Sequence, residues 1–159
     1  MRRQQTLLSL GMAYLLTGCF SQQVAPVPVV NVPVPKVVKE TLIDLSITAS
    51  NNKTPLSLQL FELKSNETFR TLDYFELMRG KESQLNGDLI SRNKKILLPN
   101  TSINRKIKPS KEVHYYAVIA SFKDVEENDK WRFITEIIPE STNTIHLTIS
   151  QDNIINNNH

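Results

Sequence analysis

The chain is poor in the residues that reactive sites and cross-links require. Its 159 residues include one cysteine, four glycines and three histidines. A single cysteine cannot form an intrachain disulfide, so packing alone must stabilise a folded domain. The sequence has no glycine-rich phosphate-binding loop and no Gly-x-Ser-x-Gly motif. His114, His146 and His159 show no metal-ligand spacing. We therefore predict a protein that is not an enzyme and holds no metal or cofactor.

The charge balance also excludes a class of partner. The chain has 19 Lys and Arg residues against 16 Asp and Glu residues. Arg2 and Arg3 lie in a segment that we expect to be removed, so the mature chain is close to neutral. Binding to nucleic acid depends on an excess of positive charge that neutralises phosphates. We predict no nucleic-acid partner.

Residues 1–18 have the three parts of a secretory signal peptide. Arg2 and Arg3 precede an apolar stretch from residue 7 to residue 16, and the small residues Thr17 and Gly18 follow. The stretch is shorter than the about 20 apolar residues that a spanning helix needs. We therefore predict a cleaved signal peptide rather than a membrane span or a core helix.

Cys19 directly follows these small residues. The segment Leu16-Thr17-Gly18-Cys19 resembles the lipobox of bacterial lipoproteins. The resemblance implies cleavage between Gly18 and Cys19, a diacylglycerol group on the thiol and an acyl chain on the new amino terminus. Several acyl chains give a stable membrane anchor, whereas one binds only marginally. In that class Phe20 after the cysteine favours the outer membrane, with the domain facing the periplasm. The alternative is a buried or free thiol, which is unusual in an exported protein.

The next segment, residues 19–38, reads as a spacer. It contains half of the eight prolines in the chain, Pro26, Pro28, Pro33 and Pro35. Proline fixes φ and keeps the preceding residue extended. We predict a semi-rigid extended tether between the anchor and a folded domain. The alternative is an edge strand interrupted by prolines.

From residue 39 to residue 151 the pattern becomes that of a β domain. Apolar and polar residues alternate from 42 to 49 and from 56 to 63, as in strands with one buried face. Helical spacing interrupts the strands between a cap at Ser65 or Asn66 and Gly80. Further strands are predicted at residues 95–98, 102–108, 113–122, 131–138 and 144–149. This indicates an all-β fold, an antiparallel β-sandwich with one added α-helix, followed by a flexible Asn-rich tail at residues 152–159.

One acidic run could be functional. Asp124, Glu126, Glu127 and Asp129 lie between two predicted strands and lack the Gly-centred alternation of a calcium loop. We predict a solvated hairpin tip, with a partner-facing acidic loop as the alternative.

Four segments in order suggest a family. They are Pro55-Leu56-Ser57-Leu58-Gln59-Leu60-Phe61-Glu62-Leu63-Lys64, the helix from Phe69 to Phe75-Glu76-Leu77, Leu85-Asn86-Gly87-Asp88-Leu89-Ile90 with Leu97-Leu98-Pro99, and Tyr116-Ala117-Val118-Ile119-Ala120-Ser121-Phe122-Lys123-Asp124 with Trp131-Arg132. Together with the lipobox, this series resembles the outer-membrane lipoproteins of type VI secretion systems, the TssJ (SciN-like) family.

The resemblance implies a transthyretin-like β-sandwich and a role in assembly. Such a subunit is anchored in the outer membrane and binds the periplasmic C-terminal region of the large inner-membrane TssM (IcmF-like) subunit. The resemblance also implies partner contact by the loop between the first two strands, here Ser50, Asn51, Asn52, Lys53 and Thr54. No small-molecule substrate is expected. The alternative function is a periplasmic carrier of a lipid or another hydrophobic ligand, which would need a large apolar cavity.

Overall fold

The computed structural model describes residues 39–80, 82–85, 87–123, 125 and 129–158. The predicted signal peptide, Cys19 and the tether lie outside the described residues. Eight strands are present: β1 Leu42–Ala49, β2 Leu56–Leu63, β3 Leu89–Leu97, β4 Ser102–Ile107, β5 Tyr115–Ala120, β6 Arg132–Glu136, β7 Thr142–Ile149 and β8 Ile154–Asn156.

The strands form two four-stranded sheets. In the first, sheet A, the order is β4-β1-β7-β8, and in the second, sheet B, it is β3-β2-β5-β6. Every second residue of β1, including Ile43, Leu45 and Ile47, is fully buried, because alternate side chains of a strand point to the same face. Burying such a side chain contributes about 1.5–3 kcal/mol. The predicted β-sandwich is confirmed, and its core lies between the sheets.

One pairing differs from an all-antiparallel sandwich. β1 runs parallel to β7, with Leu42 opposite Thr142 and Ala49 opposite Ile149. On its other side β1 pairs antiparallel with β4. Alternation within a strand defines its buried face but not its neighbour, and no short hairpin connects β1 to β7. The sequence therefore could not specify this parallel pair.

Two short helices replace the single helix that the sequence predicted. They are α1, Glu67–Thr71, and α2, Tyr74–Arg79. Asp73 separates them because it caps α2: its Oδ1 accepts from the Glu76 N–H at 2.8 Å, and the Glu76 carboxylate accepts from the Asp73 N–H at 3.0 Å. This capping box satisfies two backbone donors and starts a new helix. In the described part of the chain no helix is long and apolar enough to cross a membrane.

Two strands differ from their predicted extents. β3 begins at Leu89, although the sequence predicted a strand only from residue 95. β8 lies within the segment that was predicted to be a flexible tail, and its Ile155 pairs with Thr148 of β7. Three residues are too few to show a period-two pattern, so the sequence gave no sign of β8.

The helices cover the outer face of sheet B. The rings of Phe61 on β2 and Phe69 on α1 meet edge to face at 5.2 Å. The Arg132 side chain, from edge strand β6, donates to the carbonyls of Phe69, Arg70 and Leu72 at 3.0–3.4 Å. These carbonyls end α1 and lack intrahelical donors.

Arg92, from the opposite edge strand β3, does the same for α2. Its Nη2 donates to the carbonyls of Leu77 and Met78 at 3.5 and 3.3 Å. A cation at a helix C-terminus also interacts favourably with the helix dipole. Both edges of sheet B are therefore bonded to the helical layer.

Candidate partner-binding surface

The loop after β1 is fixed to the end of β7. The Ser50 N–H donates to the Ile149 carbonyl at 2.8 Å, and Asn52 Nδ2 donates to the same oxygen at 3.1 Å. Asn51 adopts a left-handed conformation with φ of 60°, which asparagine tolerates better than most residues. The backbone of this loop is thus held in one shape.

The five residues of the predicted site differ in exposure. Asn51, Lys53 and Thr54 are exposed, Ser50 is half-buried and Asn52 is only 7% exposed. The Asn52 Oδ1 has no hydrogen-bond partner among the described residues. We conclude that Asn52 supports the loop, while Asn51, Lys53 and Thr54 can reach a partner.

Three other connections meet this loop at the same end of the sandwich. The Ala49 N–H donates to the Thr101 carbonyl in the β3–β4 turn at 2.9 Å. The Ser121 N–H, at the start of the β5–β6 connection, donates to the Ser57 carbonyl at 2.8 Å. The β7–β8 turn contributes Gln151, whose side chain donates to the Asn51 carbonyl at 3.0 Å. We call this set of four connections the loop end.

The loop end also carries apolar surface that the site prediction did not include. Leu98, directly after β3, is 52% exposed, and Pro55, directly before β2, is exposed as well. The two are neighbours because Leu56 pairs with Leu97. Leu98 was part of the family-like motif, but sequence could not show that its side chain faces solvent. Exposed apolar residues beside polar loops are a common feature of protein-binding surfaces.

The acidic run cannot be placed fully. Asp124, Glu126 and Glu127 lie outside the described residues, and so does the side chain of Asp129. The connection that contains them starts at the loop end. Its predicted role as a solvated tip or a partner-facing loop stays a prediction.

The amino-terminal side of the domain is at the opposite end. Glu40 accepts from Lys108 Nζ at 2.6 Å, and the Leu42 N–H donates to the Ser141 carbonyl at 2.9 Å. Eight residues of β1 separate Leu42 from the loop end, a distance of roughly 26 Å in an extended strand. We call this the tether end, because the chain enters the domain here.

A small polar cavity lies where the sheets separate. It holds about 70 Å³ and is lined partly by Glu62, Ser91, Arg105 and Tyr116. Burial raises the pKa of Tyr116 above its ordinary value, the nearby Glu62 carboxylate raises it further, and Arg105 opposes the shift. The volume is far below the 300–1,000 Å³ of typical ligand pockets. This cavity therefore does not support the carrier alternative.

Among the described residues no group of three or more His, Cys, Asp or Glu side chains could hold a metal ion. What the described part offers is a rigid β-sandwich with four connections gathered at one end. Loops positioned by a rigid scaffold often carry binding function. The fold and the loop end together define the class, a small β-sandwich domain with a candidate protein-binding end.

The comparisons with known proteins identify the family. Residues 43–152 match the family described as type VI secretion lipoprotein, VasD, EvfM, TssJ (T6SS-SciN). The match covers more than half of the chain, so the chain belongs to this family of type VI secretion lipoproteins. The resemblance noted from the sequence is thereby confirmed. No curated protein sequence matches the chain.

Solved structures show the same fold. The lipoprotein TssJ1 from Pseudomonas aeruginosa is 23% identical, with a TM-score of 0.63, and the alignment covers 76% of this chain and 98% of that one. Lip from Serratia marcescens, described as a membrane-bound component of the type VI secretion system, is 16% identical, with a TM-score of 0.67 and the same coverage. A chain in the structure titled "T6SS protein TssM C-terminal domain (869-1107) from EAEC" is 18% identical, with a TM-score of 0.63 and coverage of 75% and 99%.

Proposed function

We propose that this chain is an outer-membrane-anchored, non-enzymatic subunit of a type VI secretion membrane complex. Lipid chains on Cys19 hold it in the membrane. The loop end binds the periplasmic C-terminal region of the large inner-membrane TssM-like subunit and so helps to assemble the trans-envelope complex.

The family supports the setting of this proposal. A similar chain, 19% identical with a TM-score of 0.64, occurs in a structure titled "Type VI membrane complex", where the alignment covers 74% of this chain and 98% of that one. The structure named after a TssM C-terminal domain is a second link to that subunit. Both titles are consistent with a protein that works by contact within an assembly.

The observation that carries the proposal is the position of the two ends. The chain enters at the tether end beside Glu40, and the loop of residues 50–54 is at the far end of β1. A domain anchored through its amino terminus thereby turns the loop end away from the membrane. This is the direction in which a partner from the inner membrane would approach.

The chemistry of the loop end suits a protein partner. Lys53 supplies one exposed charge, Asn51 and Thr54 supply polar groups, and Leu98 with Pro55 supplies apolar contact area. Protein interfaces combine an apolar centre with a polar rim in this manner.

The test is a pull-down from solubilised membranes with the full-length lipoprotein, tagged after His159, in a strain that expresses its secretion genes. We expect stoichiometric recovery of a TssM-like inner-membrane protein, identified by mass spectrometry. Recovery of the lipoprotein alone would contradict the proposal. A variant with reversed charge at Lys53, matched by one at Lys111 near the tether end, then tests whether the loop end makes the contact.

A further inference from the structure

The outer edge of β7 is only half covered by main chain. On one side β7 pairs with β1 along all eight residues. On the other side β8 pairs only with Leu147, Thr148 and Ile149. The Asn157 N–H extends this ladder by one bond, to the His146 carbonyl at 2.8 Å. The first half of β7 therefore has no strand beside it among the described residues.

A side chain takes the place of that missing strand. Asn158 Nδ2 donates to the Thr144 carbonyl at 2.8 Å, and Asn158 Oδ1 accepts from the His146 N–H at 3.0 Å. In a parallel ladder one residue likewise bonds to the carbonyl and the N–H of residues two apart on its neighbour. The amide thus satisfies the same two groups that a parallel strand would.

The even-numbered residues of β7 present their backbone groups to this edge. The odd-numbered ones turn toward β1, as the bonds from Leu42 to Ser141 and from Ser50 to Ile149 show. Unpaired strand edges are templates for another strand, and proteins normally cover them. A single amide covers two groups where a paired strand would cover the whole edge.

A groove lies along this edge. It holds about 700 Å³ between β7 and the outer edge of β6, which is the last strand of sheet B. Its walls are mainly polar and include Thr135, Glu136, Thr144 and His146, with Ile138 as an apolar element that is 64% exposed. A groove of this size can hold several residues of an extended peptide.

We propose that this groove is a strand-addition site, where an extended segment of a partner protein displaces Asn158 and pairs parallel to β7. Main-chain hydrogen bonds give affinity in this mode of recognition, and alternate side chains give specificity. Glu136 favours a Lys or Arg on the incoming segment. The inference rests on the proposed function, because the partner that we expect to supply the segment is the TssM-like subunit.

A second copy of this chain fits the edge less well. Two copies related by a two-fold axis use the same patch on both subunits, and a strand that pairs with itself across such an axis runs antiparallel. The bonds of Asn158 follow the parallel pattern instead. We therefore assign the edge to a partner of different sequence.

The experiment measures binding of the full-length lipoprotein, in detergent, to the purified periplasmic C-terminal region of the TssM-like subunit by calorimetry. Asn158→Ala removes the competing amide and is expected to tighten binding several-fold. Thr144→Pro removes an edge N–H that points away from β1, a position where proline is tolerated, and is expected to weaken binding at least tenfold. Asn104→Ala makes the same change as Asn158→Ala on the opposite edge of sheet A, where Asn104 accepts from Ser46, and should leave binding unchanged.

The outcomes separate the two proposals. If the wild type binds and both variants at the β7 edge bind equally well, the strand-addition site is wrong while the proposed function stands. If the wild type does not bind the TssM region, both are wrong. Doubling of the mass of Asn158→Ala in light scattering would assign the edge to self-pairing and overturn the inference. Thermal unfolding of each variant establishes that the fold is retained.

Discussion

The Nε–H of Arg92 donates a hydrogen bond of 2.7 Å to Oε1 of Gln59. Gln59 is 3% exposed, and its Nε2 donates in turn to the Met78 carbonyl at 3.3 Å. The guanidinium also lies 5.6 Å from the centre of the Phe61 ring. A side chain of β2 and one of β3 therefore jointly hold the end of α2, with the polar groups satisfied by one another.

Arg92→Met is expected to reduce the free energy of unfolding by about 2–3 kcal/mol. The substitution leaves Gln59 Oε1 and the carbonyls at the end of α2 without their charged donor, and hydrogen bonds to charged groups contribute about 1.5–3 kcal/mol. Urea unfolding followed by circular dichroism measures the change. Arg79→Met, at an exposed position of α2, is the matched control and should change stability by less than about 0.5 kcal/mol. Equal effects of the two substitutions would contradict this account of Arg92.

Gly80→Ala is expected to be more harmful than Gly87→Ala. Both glycines have a positive φ, 73° and 80°, so alanine is strained at either position by about 1 kcal/mol. A Cβ at Gly80 would also collide with the Arg92 guanidinium, whereas one at Gly87 meets nothing within 4 Å. The difference between the two losses of stability therefore measures the Arg92 contact. If it is real, that difference should shrink in an Arg92→Met background, and an undiminished difference would count against it.

Lys53→Glu is expected to weaken binding of the TssM-like region about fivefold, or roughly 1 kcal/mol. Lys53 is exposed at the loop end, where a reversed charge acts on the partner rather than on the fold. Lys111→Glu, near the tether end, should have no such effect. Calorimetry at two salt concentrations checks this, because a charge contact weakens as salt rises. Equal affinity of both variants would remove Lys53 from the binding surface.

Cys19→Ser is expected to release the protein from the membrane. A hydroxyl cannot take the thioether-linked lipid, and without acyl chains the described domain offers no spanning helix to replace the anchor. Fractionation of inner membrane, outer membrane and periplasm measures the effect, with the wild type as reference. A Cys19→Ser protein that still sediments with the outer membrane would disprove lipid anchoring through this residue.

Stability is expected to decline at high pH because of Tyr116. Burial disfavours the phenolate in the folded state and so raises the pKa of Tyr116 above the ordinary 10.0. The unfolded chain then loses this proton first, so the contribution is full below about pH 10 and declines as pH rises above it. Urea unfolding at pH 9 and pH 11 should show a smaller loss for Tyr116→Phe than for the wild type. Equal losses would show that Tyr116 does not ionise differently in the two states.

The sequence predicted the sandwich because its strands keep one buried face. The alternation from Leu42 to Ala49 is visible without a structure, since each buried residue is apolar. The neighbours of a strand are not encoded in that way, and the parallel pairing of β1 with β7 depends on contacts about 100 residues apart. The break at Asp73 and the short strand β8 were missed because each depends on a few hydrogen bonds rather than on a periodic pattern.

The candidate site was predictable only in outline. The family resemblance pointed to the loop of residues 50–54, but composition could not separate the buried Asn52 from the exposed Lys53. It also could not show that Leu98 is exposed beside Pro55. The amide of Asn158 at the edge of β7 has no sequence signature, because any asparagine in an Asn-rich tail looks alike. Exposure and pairing of such residues are set by tertiary structure.

The position of β1 has a mechanical consequence. Its two ends are the tether end and the loop end, so tension between an anchored membrane and a bound partner would run along this strand. β1 is bonded on both sides, to β4 over six residue pairs and to β7 over eight. Ladder hydrogen bonds lie across the strand direction, so such a pull loads them together in shear instead of opening them one after another. We expect the domain to resist stretching along this axis better than peeling from its β8 edge.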